Sequence, residues 1–312
     1  MGSVFTLALF LFVAPLEPLE LLQIELQDQV FAIMDREDYT LPFSGVPLVD
    51  PDRLEQLIEQ VAQQVYQPPI NAQISPGGAI LPEKMGRALD RRHFAREVYD
   101  FFYGKGSNKL EVRLQAVHPK VDRTLLEQVR KKTIGFYITY YNSGNKNRSH
   151  NIKLASTAIN NYIVLPGEVF SFNKVVGKRT RAKGYLDAPI IVRGELSEGI
   201  GGGICQVSST LYNAVDKAGL HIIERYSHSR NVAYVPPGRD ATVSWYGPDF
   251  VFQNKYAYPI LVRAGSGGGS MYVSIHSFPE IEYEPRHVPS VRNQTPEEGP
   301  APILDESSLT ID

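Results

Sequence analysis

Sulfur is scarce in this chain. Its 312 residues include one cysteine, Cys205, and four methionines. A single thiol excludes an intrachain disulfide framework and any zinc site built from clustered cysteines. The seven histidines make no HExxH or other metal-ligand spacing, so no metal site is expected. Long apolar runs are also missing. The most apolar stretch, Val4 to Ala14, is 11 residues long, enough for about half a bilayer core. With a mean hydropathy of −0.21, that excludes a polytopic membrane protein. What remains is ordinary globular composition, 43% hydrophobic and 21% charged, in a chain long enough for roughly two domains. The lone cysteine is then either a small buried hydrophobe or a reactive thiol.

Net charge is also nearly absent, at −2, but the charges are unevenly placed. Residues 1–44 hold seven acids and one base, and 280–312 hold eight acids and two bases. The body between them carries 29 bases against 19 acids, a net of +10. Within it, 120–183 has 13 bases and three acids. Such a body attracts anionic polymers through its long-range field. Nucleic-acid motifs are missing, so nucleic acid is not the expected partner; an anionic cell-envelope polymer is, with a solvated charged face as the plain alternative.

Residues 1–16 read as a signal or signal-anchor segment. The apolar length suits one, although a basic start and a small-residue cleavage site are lacking. A buried first helix or strand is the alternative. Retained, the segment attaches the chain to a membrane and places the rest outside the cytoplasm. The acidic stretch 17–44 is weakly patterned and reads as an irregular lead-in.

From residue 45 the pattern is that of an α/β domain ending near 149. Asp50-Pro51 caps a helix that continues through Leu54, Leu57, Ile58, Val61 and Val65 and stops at Pro68-Pro69. A strand-turn-strand follows around Ala72–Ile80. Asp90 caps a second helix, Glu111–Val117 alternates as a strand, and Asp122–Lys132 reads as a third helix. The next domain, 150–278, is rich in strands, including expected ones at Val232–Val235 and Ala241–Trp245. One helix, Gln206–Ala218, interrupts them, with Val207, Leu211, Val215 and Ala218 on its buried face. The expected class is α+β. Residues 279–312 are proline-rich, acidic and without periodicity, and read as a disordered tail.

The most informative segment is Gly199 to Leu211 (GIGGGICQVSSTL). Its glycines bring the backbone tightly into a helix whose first turn holds Cys205. Unpaired N–H groups and the positive end of the helix dipole there favour a thiolate and can serve as oxyanion donors. No Gly-Lys-Ser/Thr follows the glycines, so this is not a phosphate loop. Alternatively the glycines permit close packing and Cys205 is inert. A thiolate mechanism also needs a base. His228, just past an expected strand, and His221, at the start of that strand, are the rivals. In Tyr234-Val235-Pro236-Pro237-Gly238-Arg239-Asp240, Asp240 can orient a histidine and Arg239 can clamp a substrate carboxylate; an internal Arg–Asp pair is the competing reading. Glu168, in a polar-aromatic turn, either lines the cleft or caps its own loop. Gly202, Gly203, Gln206 and Ser208, which flank the thiol, complete the candidate substrate contacts.

The blocks PGEVFSFNKVVGKRTRAKGY (166–185), GGGICQVSSTLYNA (201–214), ERYSHS (224–229) and YVPPGRDATV (234–243) resemble the VanW family closely and in order. More loosely, 45–149 resembles the peptidoglycan-binding domain that often precedes VanW domains. The resemblance implies an exported bacterial cell-wall protein of a family named for glycopeptide-resistance clusters. It also implies an L,D-transpeptidase distinct from the YkuD type. Cys205 would attack the carbonyl of the third-position diamino acid of a peptidoglycan stem tetrapeptide, releasing D-alanine and leaving a thioester. A second stem's side-chain amine would resolve it, with His228 moving the protons and Arg239 holding the stem carboxylate, and no cofactor would be needed. A cysteine followed downstream by a strand histidine also resembles the papain-like NlpC architecture, so a cysteine endopeptidase or amidase stays open. A non-catalytic, resistance-associated wall-binding protein stays open too.

Overall fold

The computed structural model describes residues 21–42, 47–192 and 195–290. Its architecture is α+β, as expected. The chain divides into two compact units, one formed by the residues up to 71 together with 83–120, the other by 72–82 and everything from 121 onward. The boundary therefore falls near residue 121, not 149, and the strand-turn-strand Gln73–Ile74 and Ile80–Leu81 belongs to the second unit. The expected signal-anchor at 1–16 lies outside the described residues. Among those described, no helix is long and apolar enough to cross a membrane.

In the first unit, Leu21–Leu26 and Gln29–Asp35 form an antiparallel hairpin, and Leu21–Leu26 pairs in parallel with Lys109–Glu111. The expectation of an irregular lead-in over 17–44 is thus wrong for this hairpin. Leu22, Ile24 and Met34 are fully buried in the unit's core, and the scatter of acids around them masks the alternation. The helix Pro51–Val65 begins as expected, with the Asp50 carboxylate accepting from the N–H groups of Asp52 and Arg53. Helix Arg91–Phe102 is capped in the same way by Asp90 and buries Phe94, Val98, Phe101 and Phe102.

The second unit is built around the helix Ile204–Lys217. A four-stranded antiparallel sheet, in the order Lys132–Tyr140, Ser270–Ser277, Ile260–Gly267 and Tyr162–Val164, packs against it. Gly135 allows the close approach, since a Cβ there would lie 2.3 Å from the Ala214 carbonyl oxygen. A second small sheet orders Val169–Ser171, Val251–Gln253 and His221–Glu224, and the strands Asp187–Val192 and Glu195–Ile200 form a hairpin.

The central helix is buried on nearly every side rather than on one face. Its polar residues fit inside because they find partners. Ser209, Thr210 and Asn213 return hydrogen bonds to carbonyls one turn back. Others reach outward: Thr210 meets Thr139, Ser208 donates to the Ala241 carbonyl, the Ala241 N–H donates to Ser209, and Asn213 donates to the Arg239 carbonyl. The strands expected at Val232–Val235 and Ala241–Trp245 do not form, and for the second of them the bonds to Ala241 give the reason. Helix side chains satisfy backbone groups that a ladder would otherwise use. The tail also differs from expectation. Residues 279–290 have no regular structure, but Ile281 and Val288 are buried in the unit's core.

Candidate active site

Gly201 and Gly203 both hold the left-handed conformation, with φ of +88° and +103°, and turn the chain sharply into the helix at Ile204. Cys205 is the second helical residue, is partly exposed, and lines a cavity of about 500 Å³. Around the thiol stand the Thr242 hydroxyl, at 3.7 Å, and the Val243 carbonyl, at 3.6 Å. His228 reaches the same cavity from the segment that follows the strand His221–Glu224, near enough to the sulfur for each group to shift the other's acidity. The other face of the ring is fixed. His228 Nδ1 lies 2.6 Å from Asp240 Oδ2, and the backbone N–H of His228 donates to the same oxygen at 2.6 Å. With Nδ1 engaged by the carboxylate, Nε2 is the ring nitrogen available to sulfur.

Sulfur, imidazole and carboxylate thus form one relay, and their acidities respond together. Burial disfavours the thiolate, but hydrogen bonding to His228 outweighs it and holds the Cys205 thiol below its ordinary value. Burial likewise opposes the imidazolium, yet Asp240 and Cys205 raise the His228 pKa from 6.5 to about 9. Asp240, although buried, is held below its ordinary value by its bonds from His228. The arrangement shifts the equilibrium toward a thiolate–imidazolium pair.

The structure therefore brings together Cys205, His228 and Asp240, with Gly203 and Gln206 in the same lining. His221, the rival base, is exposed on its strand and pairs with Gln253. Other expected contacts are placed elsewhere. Arg239 is turned away from the cavity: its Nη2 pairs with Asp216 at 2.7 Å, its Nε donates to Asn213 at 2.8 Å, and it stacks over Tyr212. Its ion-pair partner is Asp216 on the central helix, not the neighbouring Asp240. Glu168 closes its own turn by accepting from the Leu165 N–H. Ser208 is fully buried and ties the helix to Ala241. Gly202 packs on the Ala188–Pro189 backbone, where any side chain would collide. Gln206 turns its amide nitrogen inward to Thr139 and Tyr140. Nor are all the first-turn amides free, because the N–H groups of Ile204 and Gln206 bond to the carbonyls of Gly201 and Gly203.

The cavity wall also includes residues that the spacing of motifs did not single out as contacts: Arg148, Lys178, Arg179, Tyr234, Trp245 and Tyr246. Arg148 and Arg179 fall within conspicuously basic segments, but only the fold shows that they converge on the glycine turn. A Cβ on Gly201 would lie 3.4 Å from the Arg179 stem, and one on Gly203 would lie 3.1 Å from the Arg148 stem. The rest of the basic segment is dispersed. Arg130 bonds to the Gly78 carbonyl, Lys132 to the carbonyls of Pro279 and Ile281, and Arg181 to Asp187. Among the described residues, no group of histidine, cysteine, aspartate or glutamate side chains could hold a metal.

Fold and site together define an α+β domain with a buried central helix that presents a cysteine to a histidine–aspartate pair. The chain belongs to the VanW family. The family model described as VanW like protein matches residues 147–276. The chain is 52% identical over 290 residues to the uncharacterized protein YoaR of Bacillus subtilis, covering 93% of this chain and 96% of that one. It is also 34% identical over 104 residues to the vancomycin B-type resistance protein VanW of Enterococcus faecalis, covering 32% of this chain and 38% of that one. No solved structure matches it.

Proposed function

We propose that this chain is an exported cell-wall enzyme, a cysteine L,D-transpeptidase acting on peptidoglycan stem peptides. The observation that carries the reading is the Cys205–His228–Asp240 relay opening into a cavity of peptide size. The Cys205 thiolate attacks the carbonyl carbon of the third-position diamino acid in a stem tetrapeptide. The Cys205 N–H and the helix dipole stabilise the oxyanion. As the intermediate collapses, the C–N bond to D-alanine breaks and His228 gives its proton to the leaving amine. The side-chain amine of a second stem then attacks the thioester and loses its proton to His228. An amide forms, the C–S bond breaks, and the thiolate–imidazolium pair is restored. Asp240 keeps the ring oriented throughout and stabilises its charge. The sequence match to a vancomycin-resistance protein agrees with work at the cell wall.

Incubating the purified chain with a disaccharide-tetrapeptide and separating the products by mass spectrometry tests this. Cross-linked dimers that vanish in Cys205→Ala are expected. Free cleaved stems would make the protein a hydrolase. A muropeptide recovered unchanged would leave a binding protein.

A further inference from the structure

Among the described residues, the cavity is lined by Arg148, Lys178 and Arg179 and by no aspartate or glutamate. Of the three cations, Arg179 is the most constrained. Its Nη1 donates to Asn173 Oδ1 at 2.7 Å, its guanidinium lies 5.6 Å from the centre of the Phe172 ring, and its stem rests against Gly201, four residues before the thiol. Asn173 is fixed in turn, since its own amide donates to the carbonyls of Ser244 and Pro248 and its N–H donates to Asp249. One edge of the fork is therefore held. Of its other two nitrogens, Nη2 is enclosed and has no hydrogen-bond partner. A buried donor of this kind is costly to leave unmade, and a planar guanidinium matches the geometry of a carboxylate or a phosphate, of which a stem peptide supplies the first.

Resting on the reading of Cys205 as an acylating nucleophile, we infer that Arg179 recognises the free C-terminal carboxylate of the acyl donor, with Arg148 adding positive charge beside it. In a donor whose leaving group is a single terminal amino acid, that carboxylate lies one residue beyond the scissile carbonyl. An internal peptide bond offers no charge there. Arg179 thus selects donors that end at the leaving residue and disfavours cleavage within a longer chain. This is the task that Arg239, locked to Asp216, does not perform.

The test compares an N-acetylated stem tetrapeptide as its C-terminal acid with the same peptide as its C-terminal amide. Binding to the full-length Cys205→Ala protein is measured calorimetrically, which requires no turnover. The acid should bind roughly 10- to 100-fold more tightly than the amide, the range expected of a charge-assisted hydrogen bond. Adding Arg179→Gln should bring the ratio close to one, and Arg179→Lys, which keeps the charge without the fork, should give an intermediate ratio. A mere effect of Arg179 on the thiol or on folding would weaken both peptides alike. Equal binding of acid and amide would overturn the proposal, as would a preference that survives both substitutions. If the acid is preferred but the cysteine-containing protein forms no product, the transpeptidase reading fails while the carboxylate subsite stands.

Discussion

Asp240→Asn keeps the size of the side chain and removes its charge, which isolates the carboxylate's part in activating Cys205. Burial alone would lower the His228 pKa; the bonds to Asp240 and Cys205 instead lift it from 6.5 to about 9. At about 1.36 kcal/mol per unit, that gap corresponds to roughly 3 kcal/mol in favour of the imidazolium. Assigning half to Asp240 makes the loss of its charge worth about 1.5 kcal/mol, or roughly tenfold in the thiolate–imidazolium population at a given acidic pH. The assay is the rate of iodoacetamide alkylation of Cys205 between pH 5 and 10. The native thiol should already react at about pH 6, because His228 holds it below its ordinary value. In Asp240→Asn the profile should move to higher pH, with the rate near pH 6 falling about tenfold. Stability should follow with the opposite dependence. A folded-state pKa raised from 6.5 to about 9 contributes stability that is complete below 6.5 and is lost as the pH rises through 9. Superimposable alkylation profiles for the two proteins would refute the relay.

Three further outcomes are expected. Arg239→Ala should lower stability by about 2 kcal/mol in urea unfolding, since Asp216 loses one mostly buried partner but keeps Arg286 at 2.9 Å, and should not raise KM for the stem peptide selectively. Gly203→Ala should cost about 2 kcal/mol or more, because alanine at φ +103° is strained and its Cβ would meet Ile152 at 2.9 Å; thermal unfolding measures this. Transfer activity should decline on the alkaline side near pH 9, where His228 loses the proton it gives to the leaving amine, and a pH–rate profile of kcat locates that limb.

The candidate thiol is more legible in the sequence than its surroundings. Cys205 stood out because glycines and a helical pattern meet at one residue, and those local features survive folding unchanged. His228 and Asp240 were recognisable as candidates, and only tertiary geometry joins them through a 2.6 Å contact. Arg239 was misplaced because its partner, Asp216, lies on the far part of the central helix, a pairing that no local spacing encodes. Both strands expected after residue 231 have β-forming composition, and at the second the Ala241 backbone is taken up by Ser208 and Ser209 instead of a ladder. Those same polar residues and Asn213 hid the full burial of the helix, since serine and asparagine look like solvent-facing positions until their partners are known. Arg179 and Arg148 were visible only as net charge. Their convergence on Gly201 and Gly203 is a property of the fold.

The most direct measurement is the intact mass of the protein after brief exposure to disaccharide-tetrapeptide, quenched in acid. The account predicts an added mass equal to the disaccharide-tripeptide acyl group, mapped to Cys205, removable by hydroxylamine and accompanied by one equivalent of free D-alanine. Unmodified protein with no D-alanine released, from a chain whose Cys205 still alkylates at about pH 6, would contradict it.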